Sequence, residues 1–93
     1  MDRKAYKYRS LERVVKGFAN HRRLQILNLL RRKPELSVFE ISDELNANFK
    51  TIAVHVQRLA TAGLVLKRSV GSSVRHKLTP KAISILKFLR TLE

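Results

Sequence analysis

The chain has 93 residues, with twenty Lys and Arg against seven Asp and Glu, a formal net charge of +13, and 44% apolar residues. The apolar share excludes a disordered basic tail, and the length suits one domain with a single modest core. The sequence has no cysteine, which excludes disulfides, thiolate metal ligands and thiol catalysis together.

No apolar run approaches the ~20 residues of a membrane span, and the opening MDRKAYKYRS lacks a signal peptide's apolar core. The expectation is a soluble, cytoplasmic domain. Its charge excess favours a polyanion as partner, either nucleic acid or an anionic surface.

Residues 1–9 read as a basic arm, a solvated tail or one laid along a phosphate backbone by Arg3, Lys4, Lys7 and Arg9. Ser10 is placed to cap a short helix with Leu11, Val14, Val15 and Phe18 on its apolar side. Asn20 caps a second helix with Leu24, Leu27 and Leu30 inward and Ile26 beside them, and Pro34 ends it. Ser37 followed by Glu40 forms a capping box that opens a third, short helix, with Ile41 and Leu45 inward. Asn46-Ala47-Asn48 is then a turn.

Asn48 caps the fourth helix. At about 100° per residue, Phe49, Ile52, Val56, Leu59 and Ala60 share one side. Lys50, Ala53, Val54, Gln57, Arg58 and Thr61 point the other way, with Thr51 and His55 on the flank. Gly63 supplies the C-cap. Leu64–Ser69 and Val74–Thr79 read as strands around the turn Val70-Gly71-Ser72-Ser73. Thr79-Pro80 opens a last helix carrying Ala82, Ile83, Ile85, Leu86, Phe88, Leu89 and Leu92. That stripe is wider than one core requires, so it is expected both to close the core and to meet a second copy.

A short helix, a turn and a longer helix make a helix-turn-helix. The fold class is thus mainly α with a small β-hairpin, a winged helix-turn-helix. The basic arm spans 1–9 and the single domain 10–93. Within that domain the helix-turn-helix covers 37–63, the wing 64–79 and a C-terminal dimerisation helix 80–92.

Charge is segregated along this order. From Leu45 to Leu92 there are Lys50, Arg58, Lys67, Arg68, Arg75, Lys77, Lys81, Lys87 and Arg90 but no acid, while residues 34–49 hold acids and no base. With nothing local to neutralise them, Lys50 and Arg58 on the fourth helix and Lys67, Arg68, Arg75 and Lys77 on the hairpin are expected to meet phosphates. Candidate recognition-helix contacts are Asn48, Lys50, Thr51, Val54, His55, Gln57 and Arg58. Lys50, Thr51 and Gln57 suit base edges, and Val54 or Ala53 a thymine methyl. Candidate wing contacts are Lys67, Arg68, Ser72, Ser73, Arg75 and Lys77. No carboxylate lies within two turns of His55 to tune a base, and Ser72 and Ser73 lack one, so no catalytic residue is expected. His76 reads as structural.

The runs ANHRRLQIL (19–27) and TIAVHVQRLATAGLV (51–65), followed by the glycine-turned hairpin, resemble the ArsR (arsenical-resistance repressor) family of winged-helix transcription regulators. Ala19, Asn20 and Arg23 match the family's alanine-asparagine-proline-threonine-arginine run, while His21 and Arg22 depart from it. Thr51, His55, Leu59, Ala62, Gly63, Leu64 and Val65 match its recognition-helix pattern. Ala53 stands where a serine is usual.

The resemblance implies double-stranded DNA as partner, a repressor's role and a homodimer through the first and last helices. The candidate interface is Leu11, Val14, Ile85, Phe88, Leu89 and Leu92. It also draws attention to a difference. Metal-sensing members carry two cysteines where this chain reads Leu36-Ser37-Val38-Phe39-Glu40, so no metal and no cofactor are expected. Two other readings stand beside this one: a winged helix serving as a protein-interaction module through its acidic helix, and a structured-RNA binder.

Overall fold

The computed structural model describes residues 3–93, so Met1 and Asp2 of the expected arm lie outside the described residues. The elements are α1 (Arg3–Phe18), α2 (His21–Arg32), α3 (Val38–Glu44), α4 (Phe49–Thr61), β1 (Val65–Val70), β2 (Ser73–Leu78) and α5 (Pro80–Arg90).

Helix α1 begins seven residues before Ser10, which sits within the helix rather than capping it, so the expected arm is largely helical. The cause is local. Ala5, Lys7 and Arg9 favour helix, and no Gly or Pro interrupts the chain before Gly17. The other helix starts follow their capping residues. Asn20 Oδ1 accepts from Arg22 N at 2.9 Å and Arg23 N at 3.2 Å. Ser37 and Glu40 form the reciprocal box, at 3.1 and 3.0 Å. Asn48 Oδ1 accepts from Thr51 N at 3.1 Å.

The core gathers Ile26, Leu27, Leu29 and Leu30 of α2, Ile41 of α3, and Ile52, Val56 and Leu59 of α4. Leu64, Val65 and Leu78 at the wing base and Ala82 of α5 complete it. Leu29 joins this core, whereas Leu24, expected inward, is only half-buried. Phe49, also expected inward, is 51% exposed because the first turn of α4 stands clear of the core.

The end of α4 is closed by two bonds, Gly63 N to Ala60 O at 3.0 Å and Leu64 N to Leu59 O at 2.9 Å. This is a Schellman closure, with Gly63 at φ +76° supplying the left-handed residue. It consumes the Leu64 N–H, so the ladder begins at Val65 rather than Leu64.

The antiparallel register runs from Val65 opposite Leu78 to Val70 opposite Ser73, around Gly71-Ser72. Ser73 therefore belongs to the strand rather than the turn. Leu36 adds an isolated bridge to His76, so the stretch before α3 lies along the outer edge of β2. Thr79 ties three elements together. Its N–H donates to Leu64 O at 3.1 Å. Its hydroxyl donates to Gly63 O at 2.7 Å and accepts from Ala82 N at 3.3 Å.

Where α1 crosses α4, Gly17 lies against Ala62. A Cβ added at Gly17 would stand 2.4 Å from the Ala62 Cβ. Helix α5 buries only Ala82 fully. Ile85, Leu86 and Leu89 are half-buried, while Ile83 and Phe88 (59% exposed), and Leu92 (67%) just past the helix, face outward. The surplus stripe is thus left uncovered by the single chain.

Candidate nucleic-acid interface

Helix α4 buries Ile52, Val56 and Leu59 and turns Lys50, Thr51, Val54, Gln57, Arg58 and Thr61 to solvent. Val54 is 54% exposed. An apolar β-branched side chain held in water between cations gains nothing from folding. Asn48 is exposed, but its side-chain oxygen is committed to the cap. Ala53 is half-buried and recedes from the face.

His55 lies on the flank, half-buried, and its Nδ1 accepts from Arg23 Nε at 3.1 Å. The same guanidinium donates to Lys16 O at 2.9 Å and Gly17 O at 3.1 Å, at the end of α1. Burial, then the charges of Arg23, Arg22, Arg58 and His21, hold His55 below its ordinary pKa. The ring is neutral and oriented, with Nε2 carrying the proton, and no acid pairs with it.

The two faces of the hairpin differ. On the inner face Val65, His76 and Leu78 are buried, and Lys67 donates to Gln57 Oε1, linking wing to α4. On the outer face the expectation of unneutralised cations fails for Arg68 and Arg75. Arg68 Nη2 lies 3.1 Å from Glu35 Oε2. Arg75 Nη1 donates to Glu35 O at 3.0 Å and lies 3.8 Å from Glu40 Oε1. The Leu36–His76 bridge carries Glu35 alongside β2, which no scan for nearby acids detects. Lys77, Ser72 and Lys50 are exposed, Ser73 half-buried, and none of the four has an ion pair or side-chain partner among the described residues.

His76 is 1% exposed, with Nδ1 donating to Leu36 O at 2.8 Å. Burial, then nearby Lys67, lowers its pKa, and the bond to Leu36 opposes them. Its role is to pin the third edge of the wing.

The register where related sensors hold thiolates does not suit a metal. The Ser37 hydroxyl is spent on the Glu40 N–H, and Phe39 is a solvent-facing ring. Among the described residues no three His, Asp or Glu side chains converge. No described helix is long and apolar enough to cross a membrane.

Arg13, Lys16 and Gly17 of α1, which the sequence reading passed over, line a groove of about 420 Å³ beside α4 together with Arg23 of α2 and Gln57, Arg58, Thr61 and Ala62. The 3- and 4-residue spacing of Arg9, Arg13 and Lys16 signals one cationic helix face. That signal is legible only once the helix is known to start before Ser10.

Comparison with known proteins agrees with this geometry. Residues 20–65 match the model of the winged helix-turn-helix DNA-binding family. The chain is 35% identical over 85 residues to the HTH-type transcriptional regulator Rv0324 of Mycobacterium tuberculosis, covering 91% of this chain and 37% of that protein. It therefore spans well under half of that relative's length. It is 36% identical over 66 residues to the HTH-type transcriptional regulator MJ1325 of Methanocaldococcus jannaschii, covering 71% of this chain and 74% of that one. Among solved structures, a homodimeric winged helix-turn-helix DNA-binding domain from Mycobacterium bovis, Mb0332, is described as a possible ArsR-family regulator. It superposes with a TM-score of 0.89 at 31% identity over 99% of this chain and 85% of that one. This chain belongs to the winged helix-turn-helix DNA-binding family, in the ArsR-like class of transcription regulators.

Proposed function

We propose that the protein binds double-stranded DNA sequence-specifically as a twofold dimer and represses transcription in the cytoplasm, without metal, cofactor or catalysis. The observation that carries this reading is the outer face of α4. Lys50, Thr51, Val54, Gln57 and Arg58 stand exposed on it with no carboxylate among them. Base edges are read by such mixed faces in the major groove, and phosphate contacts fix register without specifying sequence. Thr51 and Gln57 are assigned to base edges, Lys50 and Arg58 to the backbone or guanine. Lys67 and Lys77 supply the wing's free charge, with Ser72 at its tip, and Arg68 and Arg75 contribute only by leaving their acids. His55 orients Arg23 rather than reading a base. Leu11, Val14, Ile85, Phe88, Leu89 and Leu92 are assigned to the contact between copies.

The test is titration of the protein against duplex DNA and structured RNA at several salt concentrations. Duplex affinity should fall with added salt by about 0.9 log units per phosphate contact per log unit of salt, and exceed RNA affinity. Thr51→Ala or Gln57→Ala should narrow the gap between operator and random DNA by about 1–3 kcal/mol. Absence of duplex binding at low salt would overturn the reading, and preference for structured RNA would replace it.

A further inference from the structure

Helix α4 is flanked by positive charge on two sides, the wing and the corner between α1 and α2. Gln57, which Lys67 of the wing contacts, and His55, which Arg23 contacts, lie about 160° apart around the helix axis at ~100° per residue. The contacts of Lys67 and Arg23 with α4 therefore stand on opposite flanks of the reading face, with Gln57 reaching across it to border the corner groove as well.

On the corner flank Arg13, Lys16, Arg23 and Arg58, drawn from three helices, converge on one groove with no acid in its lining. Arg13 and Arg58 have no ion pair among the described residues, and Lys16 has only the exposed i,i+4 contact with Glu12 at 2.8 Å. Arg23 is held in place by its bonds to the end of α1 and to His55. Gathering like charges is unfavourable unless an anion offsets them.

A helix lying in a major groove about 12 Å wide has a phosphate strand on each side. From this we infer that the groove between α1 and α4 is a second phosphate-binding site, taking the DNA strand opposite the one the wing follows. Gln57, Arg58 and Thr61 line the groove and also stand on the outer face of α4, so a helix seated in DNA brings the groove to that strand. The α1 helix, otherwise assigned to dimer contact, then touches DNA as well.

This rests on the proposed DNA-binding function, and the experiment separates the two. The full chain is titrated against a 30-base-pair mixed-sequence duplex across sodium chloride concentrations, as wild type, Arg13→Gln, Lys16→Gln and the remote control Lys87→Gln. Arg13→Gln should lower the salt slope by about 0.9 and weaken binding alike on all sequences. Lys16→Gln should do the same to a lesser degree, and Lys87→Gln should match wild type. Phosphate ethylation on the strand opposite the wing should interfere with wild-type binding and lose that effect with Arg13→Gln. An unchanged slope in Arg13→Gln overturns the inference while leaving DNA binding intact. So does tripolyphosphate binding without DNA that Arg13→Gln abolishes while the DNA slope is unaltered, since the groove then serves a soluble anion. Wild-type protein that binds no duplex overturns both readings.

Discussion

At the scale of single residues, the Gly17–Ala62 contact sets how closely α1 approaches the recognition helix. Gly17→Ala places two methyl groups where there is room for one and should cost about 1–3 kcal/mol of stability by overpacking. Adding Ala62→Gly in the same chain should recover much of that loss, because the offending partner is gone. Urea melts of the single and double variants check it.

His76 makes a second residue-scale prediction. Its folded-state pKa lies below the ordinary 6.5 because it is buried, so the unfolded chain takes up a proton more readily. The resulting stability is complete above about pH 6.5 and is lost as pH falls through the folded value. His55, lowered in the same direction, adds to the slope. Denaturant melts at pH 7.5 and 5.5 should show a smaller acid loss in His76→Phe than in wild type.

At the scale of elements, the caps were legible in the sequence because their chemistry is local. Asn20, Ser37 with Glu40, Asn48 and Thr79 each bind backbone within three residues. The start of α1 was not legible, since Ser10 offers a cap that the chain does not use. The pairing of Arg68 with Glu35 and of Arg75 with Glu40 was not legible either. It depends on the Leu36–His76 bridge, which joins positions 40 residues apart.

That pairing revises the expected role of the wing. Arg68 and Arg75 enter any encounter with DNA partly neutralised, whereas Lys67 and Lys77 do not. Glu35→Gln should free Arg68, tightening duplex binding and steepening its salt slope by up to about 0.9, while Arg75, held by the Glu35 backbone carbonyl and beside Glu40, should be unaffected. Arg68→Ala alone should cost less affinity than Lys77→Ala. Fluorescence titration across salt concentrations measures both.

At the scale of the whole molecule, the uncovered side of α5 is the surface assigned to the proposed contact between copies. Phe88 is 59% exposed in the single chain, so Phe88→Glu should leave the monomer folded while placing two charges at the contact between copies. Sedimentation should show wild type as a dimer at micromolar concentration and Phe88→Glu as a monomer, with far weaker DNA binding. A twofold dimer presents its recognition helices about 34–36 Å apart and calls for an inverted repeat. The stripe's excess width was visible in the sequence. Which residues stay outside was not, because Ala82, Leu86 and Leu89 differ from Ile83 and Phe88 only in which neighbour they meet.

Thr79 joins the end of the reading helix, the base of the wing and the start of α5 within one residue's hydrogen bonds. No slack segment separates the elements proposed to grip DNA from the helix proposed to grip the other copy. In the proposed dimer each half would then act as a rigid jaw, and the pair as a fixed-gauge caliper. One base pair inserted at the centre of the operator moves the far half-site by about 3.4 Å and rotates it out of the jaw's plane. With nothing to flex, tolerance for altered spacing should be poor, and the distance between half-sites becomes as much a part of the recognised signal as their letters.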